Sequence, residues 1–146
     1  MRTKEQWLEG IYKMQRNLYI GGENIGRDDG RLIPSTNVMG TTFDLALEPE
    51  HEDLMTATSH LTGEKINRFC HVHQSTADLH KKQDMTRMIC HVVGGCIQRC
   101  MGIDAINAIY TVSYEADKEN NGASEYHENF KKWLIRFQTD DLVGCC

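Results

Sequence analysis

The 146-residue sequence predicts an all-α domain, a bundle of about five or six helices. Three observations lead there. Only two prolines interrupt the chain. The β-branched residues are scattered rather than clustered, which favours helix over sheet. Apolar residues recur at three- and four-residue spacing through most of the length, the period of one helical face. No internal repeat, low-complexity run or composition break divides the chain, so residues 1–146 are expected to form a single helical domain.

Each element follows from a local signal. Thr3 and Gln6 have the form of a capping box, and Trp7, Leu8, Ile11, Met14 and Leu18 follow at helical spacing, predicting a first helix over about 4–17. Gly21, Gly22, Gly26 and Gly30, with Asp28 and Asp29, mark a loop. Pro34 and Ser35 open a second helix carrying Val38, Phe43 and Leu45, which must end before Pro49; residues 50–55 allow one further turn. The stretch 58–74 is irregular. Ser75 with Asp78 is a clear start for a long helix over about 76–100, with Leu79, Met85, Ile89, Val93, Cys96 and Cys100 near one face. Gly94 and Gly95 are then internal to it, where their use is to admit another backbone or a bulky ligand. Asp104 caps the next helix, which buries Ile106, Ile109 and Tyr110 and runs to about Lys118. Asn121-Gly122 turns the chain, and Ser124 opens a last helix with Phe130, Trp133, Leu134 and Phe137 inward.

The formal charge of −5 argues against a partner bound through nucleic-acid phosphates. Lys81, Lys82 and Arg87 read as a solvated helix face. The opening MRTKEQWLEG has no apolar core of a secretory signal, and no stretch has the length of a membrane-spanning helix, so a cytoplasmic setting with reduced thiols is expected. Neither GxGxxG after a strand nor GxxxxGK[ST] occurs, nor HExxH, nor GxSxG. Seven histidines are present; His71 and His73, two apart, read as surface or hydrogen-bonding groups.

What carries chemistry is the run CHVVGGCIQRCMGIDAINAIY, residues 90–110. Cys96 and Cys100 stand four apart, so on a helix both sulfurs leave one face and can grip a metal ion or one corner of an iron–sulfur cluster. The competing reading is that both are small buried apolar residues. A cubane cluster needs four ligands, so two thiolates are half a site.

Four stretches are similar to one family. RLIPSTNVMGTTFDLALEPEHEDLMT, NRFCHVHQSTADLHKK, CIQRCMGIDAINAIY and SYEADKENNGASEYHENF resemble the amino-terminal helical domain of the 4-hydroxyphenylacetate 3-hydroxylase family, whose fold is like that of acyl-CoA dehydrogenases. The resemblance runs from Lys4 to Leu142. Its hydroxylase members carry Arg-Ser-Pro-Asp-Tyr where this chain has Met101-Gly102-Ile103-Asp104-Ala105, so the phenol-binding Arg and Tyr are missing. That departure, with the cysteine pair, points to the dehydratase branch. The branch implies FAD and a [4Fe–4S] cluster as cofactors, Cys96 and Cys100 as two cluster ligands, and Gln98 as a catalytic residue near cluster and substrate. It also implies a homotetramer acting on an acyl-CoA: loss of water from 4-hydroxybutyryl-CoA to crotonyl-CoA, with vinylacetyl-CoA isomerised alongside. The other two ligands, a His and a Cys, come in the family from a later segment, so Cys70, Cys90, Cys145 and Cys146 are expected not to ligate. The family polypeptide is longer, and its flavin-binding β-domain and carboxy-terminal bundle have no counterpart here, so the chain is expected to be a fragment or a split-gene product, inactive alone. Two alternatives stand beside this: a flavin-dependent 4-hydroxyphenylacetate 3-monooxygenase-like protein, and a non-catalytic helical piece.

Overall fold

A computed structural model describes residues 1–144. Helix α1 (Lys4–Tyr12) begins on the expected capping box: Thr3 Oγ1 accepts from Gln6 N at 3.2 Å, and Gln6 Oε1 accepts from Thr3 N at 3.0 Å. It is shorter than expected because the apolar spacing past Ile11 has no core to meet; Met14 is exposed. Leu18 instead opens strand β1 (Leu18–Ile20), which pairs antiparallel with β2 (Glu23–Ile25). Gly21 (φ 59°) and Gly22 (φ 85°) make the two-residue turn, which needs positive φ at both positions.

Helix α2 (Ile33–Leu47) takes Pro34 in its first turn, where a missing N–H costs nothing, and stops ahead of Pro49. One turn, α3 (Glu52–Met55), leads into β3 (Thr56–Thr58), which pairs antiparallel with β4 (Lys65–Asn67). The expectation of an all-α fold is therefore corrected. The framework is helical, but it carries two small hairpins, each with strands of three residues, too short for any alternation to show in the sequence.

Helix α4 (Thr76–Val93) is capped by Ser75 Oγ, which accepts from Asp78 N at 3.2 Å. It ends at Gly94, left-handed at φ 77°, whose N–H donates to Cys90 O at 2.9 Å. The expected helix to Cys100 is thus two helices and a loop. Gly94 and Gly95 meet no neighbour within 4 Å of a notional Cβ, so they terminate the helix rather than admit a close partner. Helix α5 (Cys100–Glu119) follows, then α6 (Tyr126–Thr139). Asp104 caps nothing; its carboxylate pairs with Lys82 at 2.5 Å and ties α5 to α4. Lys81 pairs with Asp53 and Arg87 with Asp84, so the basic group is neutralised along the helix. The start of α6 is capped from α5: Asp117 accepts from Tyr126 N at 3.0 Å and His127 N at 2.9 Å, and Ser124 Oγ donates to it at 2.6 Å.

The core has three parts. Leu45, Met55, Phe69, Met85, Ile89, Ile97 and Ile103 join α2, α3, α4 and α5. Ile66, Cys70, Val72, Ile106, Leu134 and Phe137 join β4, α5 and α6. Trp7, Met39 and Phe43 seat α1 on α2, with the Trp7 and Phe43 rings stacked at 5.5 Å. Each such large side chain contributes about 1.5–3 kcal/mol by burial. Leu79, Ile109 and Trp133, expected inward, are exposed. Among the described residues no helix is long and apolar enough to cross a membrane.

Candidate metal-binding loop between α4 and α5

Residues 94–99 cross from the end of α4 to the start of α5, and their side chains alternate. Cys96 is exposed, Ile97 fully buried, Gln98 exposed, and Arg99 only 1% exposed. Two buried side chains therefore peg the loop down, while Cys96 before them and Gln98 between them are exposed. Ile97 drops into the cluster formed by Met85, Ile89 and Ile103. Arg99 enters a polar seam between α2 and the segment after α6. Its Nη2 donates to Asp141 Oδ1 at 2.5 Å and to Leu142 O at 3.2 Å; its Nη1 donates to Thr42 Oγ1 at 3.2 Å. The guanidinium carbon lies 4.4 Å from the Phe43 ring centroid and 5.2 Å from that of Phe69.

The backbone between the pegs is tight. Arg99 N donates to Ile97 O at 2.6 Å around Gln98, whose φ is +59°. An i→i+2 bond about a non-glycine residue at positive φ is a rare, strained turn. Such outliers persist where the surroundings over-determine them.

Cys100 is the first residue of α5 and half-buried. The expectation that Cys96 and Cys100 share one helical face is corrected: Cys96 stands in the loop, because Gly94 has ended α4. The two cysteines flank the three-residue turn of Ile97, Gln98 and Arg99. Burial pushes the Cys100 thiol above its ordinary value, and the charge of Cys96 pushes it further the same way. A cation between the two relieves that repulsion. The donor set thus fits half of a thiolate-bound cluster. Gln98, between the two cysteines in sequence, is exposed and its amide is free to donate or accept.

The remaining cysteines differ. Cys70 is fully buried, with its thiol pushed up to about 12 by burial, and Cys90 is half-buried against the core. Cys145 and Cys146 lie outside the described residues. His71 is buried, its Nε2 3.4 Å from Asp78, while His73 takes Asn107 Oδ1 on its own backbone N–H at 2.8 Å; neither approaches the cysteine loop through a hydrogen bond. A cavity of about 820 Å³ opens at the start of α4 against Arg68, His71, Asp78 and Lys81, and touches neither cysteine. Nothing among the described residues has the character of a dinucleotide phosphate cradle, so no residue is assigned to a flavin. Sequence reasoning missed Arg99 and Asp141; the one available signal is an arginine set between Ile97 and Cys100 in an otherwise apolar run.

The sequence profile of the 4-hydroxyphenylacetate 3-hydroxylase N-terminal family matches residues 3–146. The chain belongs to that family. It is 40% identical over 145 residues to the 4-hydroxybutyryl-CoA dehydratase/vinylacetyl-CoA-Δ-isomerase of Clostridium aminobutyricum, covering 98% of this chain and 29% of that protein. The oxygenase component of a 4-nitrophenol 4-monooxygenase/4-nitrocatechol 2-monooxygenase from Rhodococcus opacus is 40% identical over 60 residues, covering 38% of this chain and 11% of that one. Among solved structures, an oxygen-tolerant archaeal 4-hydroxybutyryl-CoA dehydratase from N. maritimus superposes with a TM-score of 0.91 at 33% identity, over 97% of this chain and 28% of that one. The chain therefore spans less than a third of the length of the dehydratases it resembles. The superposition on the archaeal dehydratase extends over nearly the whole chain.

Proposed function

We propose that this chain is the amino-terminal helical part of a 4-hydroxybutyryl-CoA dehydratase that also isomerises vinylacetyl-CoA, and that Cys96 and Cys100 hold two corners of a [4Fe–4S] cluster. The observation that carries the reading is the pegged loop: Cys96 and Cys100 flank a tight turn whose backbone is fixed from beneath by Ile97 and Arg99. Likeness to the dehydratases over 98% and 97% of the chain supports it, against 38% for the monooxygenase. Met101 and Ala105, where hydroxylases of the family bear Arg and Tyr, leave a phenol without its recognition groups.

When bound, the cluster supplies a Lewis-acidic iron for the departing hydroxyl, and FAD the redox partner that makes an unreactive C–H acidic. This chain's own part is narrower. Cys96 and Cys100 bind as thiolates, each giving up its proton as the metal arrives. Gln98 is the catalytic candidate: with the cluster bound, its amide would donate or accept a hydrogen bond to the substrate oxygen and so orient it. The remaining ligands, a His and a Cys, come in the family from a later segment, as do part of the flavin cavity and some of the candidates for the general base.

The test is chemical analysis of the protein expressed from its native gene and purified without air. Iron and acid-labile sulfide are expected, with the brown colour of a cluster, and both are lost in Cys96→Ala. Iron and colour unchanged in that variant overturn the ligand role; oxygen-dependent turnover of 4-hydroxyphenylacetate with a reductase moves the assignment to the hydroxylases.

A further inference from the structure

We infer that Arg99 is a positioning residue for the cysteine pair, and that its grip depends on Asp141, 42 positions along the chain. The inference rests on the cluster reading above.

Arg99 immediately precedes Cys100 and follows Cys96 by three residues, so its guanidinium is the only charged anchor within the loop. The contacts of that guanidinium lie on other elements: Thr42 and Phe43 on α2, Phe69 and Cys70 after β4, Asp141 and Leu142 after α6. Asp141 is itself over-determined. Its backbone sits at φ +45°, and its second oxygen accepts from Arg2 N at 3.2 Å. Cys70 Sγ lies 3.7 Å from both Asp141 Oδ1 and Arg99 Nη2. Arg99 and Asp141 are each 1% exposed.

Stability alone is a poor reason for such a pair. Removing two charges from water costs about as much as their attraction returns, and well-packed apolar side chains in their place are often as stable. Direction is what an ion pair adds. A planar guanidinium held by a carboxylate, a hydroxyl and a carbonyl has one orientation, and it transmits that orientation to the backbone it belongs to. Here that backbone is the strained turn at Gln98, with Cys96 and Cys100 at its two ends. An apolar replacement fills the volume and leaves the turn free to relax.

The decisive comparison uses the anaerobically purified protein and follows iron release to a ferrous chelator, with far-ultraviolet circular dichroism and melting temperature recorded in parallel. The double variant R99M/D141L is expected to fold, with a melting temperature lowered by the strain of leucine at the φ of +45° that Asp141 holds, while releasing iron about ten- to a hundredfold faster, the factor by which metal affinity falls when residues supporting metal ligands are removed. Thr42→Val, which frees one guanidinium nitrogen and keeps the ion pair, gives a smaller acceleration and covers the event that the double variant does not accumulate. Cys96→Ala is the control. If Cys96→Ala retains its iron, the cluster assignment fails. If Cys96→Ala loses it and neither R99M/D141L nor Thr42→Val speeds release, the assignment stands and the positioning role of Arg99 is overturned.

Discussion

The carbonyl oxygen of Gly144 occupies the place where a side chain on Gly102 would begin. The first turn of α5 is therefore in backbone contact with the segment that follows α6, the same segment that carries Asp141. This is the close approach that the glycines at 94 and 95 do not provide. Gly102→Ala forces the two backbones apart and is expected to cost about 1–3 kcal/mol, as overpacking does. Gly95→Ala, with open space around it, stays within about 0.5 kcal/mol of the parent. Urea melts of the two variants measure this directly; equal midpoints for both would show that the backbone contact is not made in solution.

Gln98 yields a second prediction, about strain. Its side chain is exposed, so removing it loses little packing, but its φ of +59° penalises a side chain that starts with a branch. Gln98→Val should be less stable than Gln98→Gly by about 1–2 kcal/mol, the cost of the left-handed region for a residue with a Cβ. The order of the two melting temperatures is the readout. Valine matching glycine would mean that the turn is not held in that conformation.

His71 makes stability depend on pH. Burial holds its imidazole below the ordinary 6.5; Asp78 opposes that shift, and Arg68 and His73 add to it. The folded protein therefore prefers the neutral ring. Between the depressed folded value and 6.5 the unfolded chain binds more protons, so the stabilisation is complete above 6.5 and declines as the pH falls through that window. His73 and His60 are shifted the same way, also by burial. His71→Asn is expected to make the dependence of melting temperature on pH shallower below 6.5 without abolishing it. Identical profiles for variant and parent would exclude His71 as a contributor. Asp78, held below 3.8 by its hydrogen bonds from Gln74 and Ser75 and the nearby His71 against the opposing effect of burial, adds a further loss at still lower pH.

Parts of the candidate site were legible because they are local. Cys96 and Cys100 stand out by residue type and spacing, and Gln98 through the family resemblance; the structure leaves Cys96 and Gln98 exposed, with Cys100 at the helix start. Their support was not legible. Val93, Cys96 and Cys100 continue the helical period of α4 well enough that nothing in the pattern says the helix has ended; Gly94 is tolerated inside helices as well as at their ends. Likewise Gly21-Gly22 reads as a loop until two three-residue strands are seen to pair across it.

The amino-acid sequence by itself determined the helices whose starts are written in neighbouring residues: Thr3 with Gln6, Ser75 with Asp78, and Pro34 at the head of α2. A cap and an amphipathic stripe act over three or four residues, so the order of residues suffices to find them. Only the tertiary structure decided where α4 stops, that Asp117 caps the helix after its own, and that Arg99 meets Asp141. Those outcomes depend on groups brought together from distant parts of the chain. A buried charge must find its partner wherever packing places it, and no local period records the address.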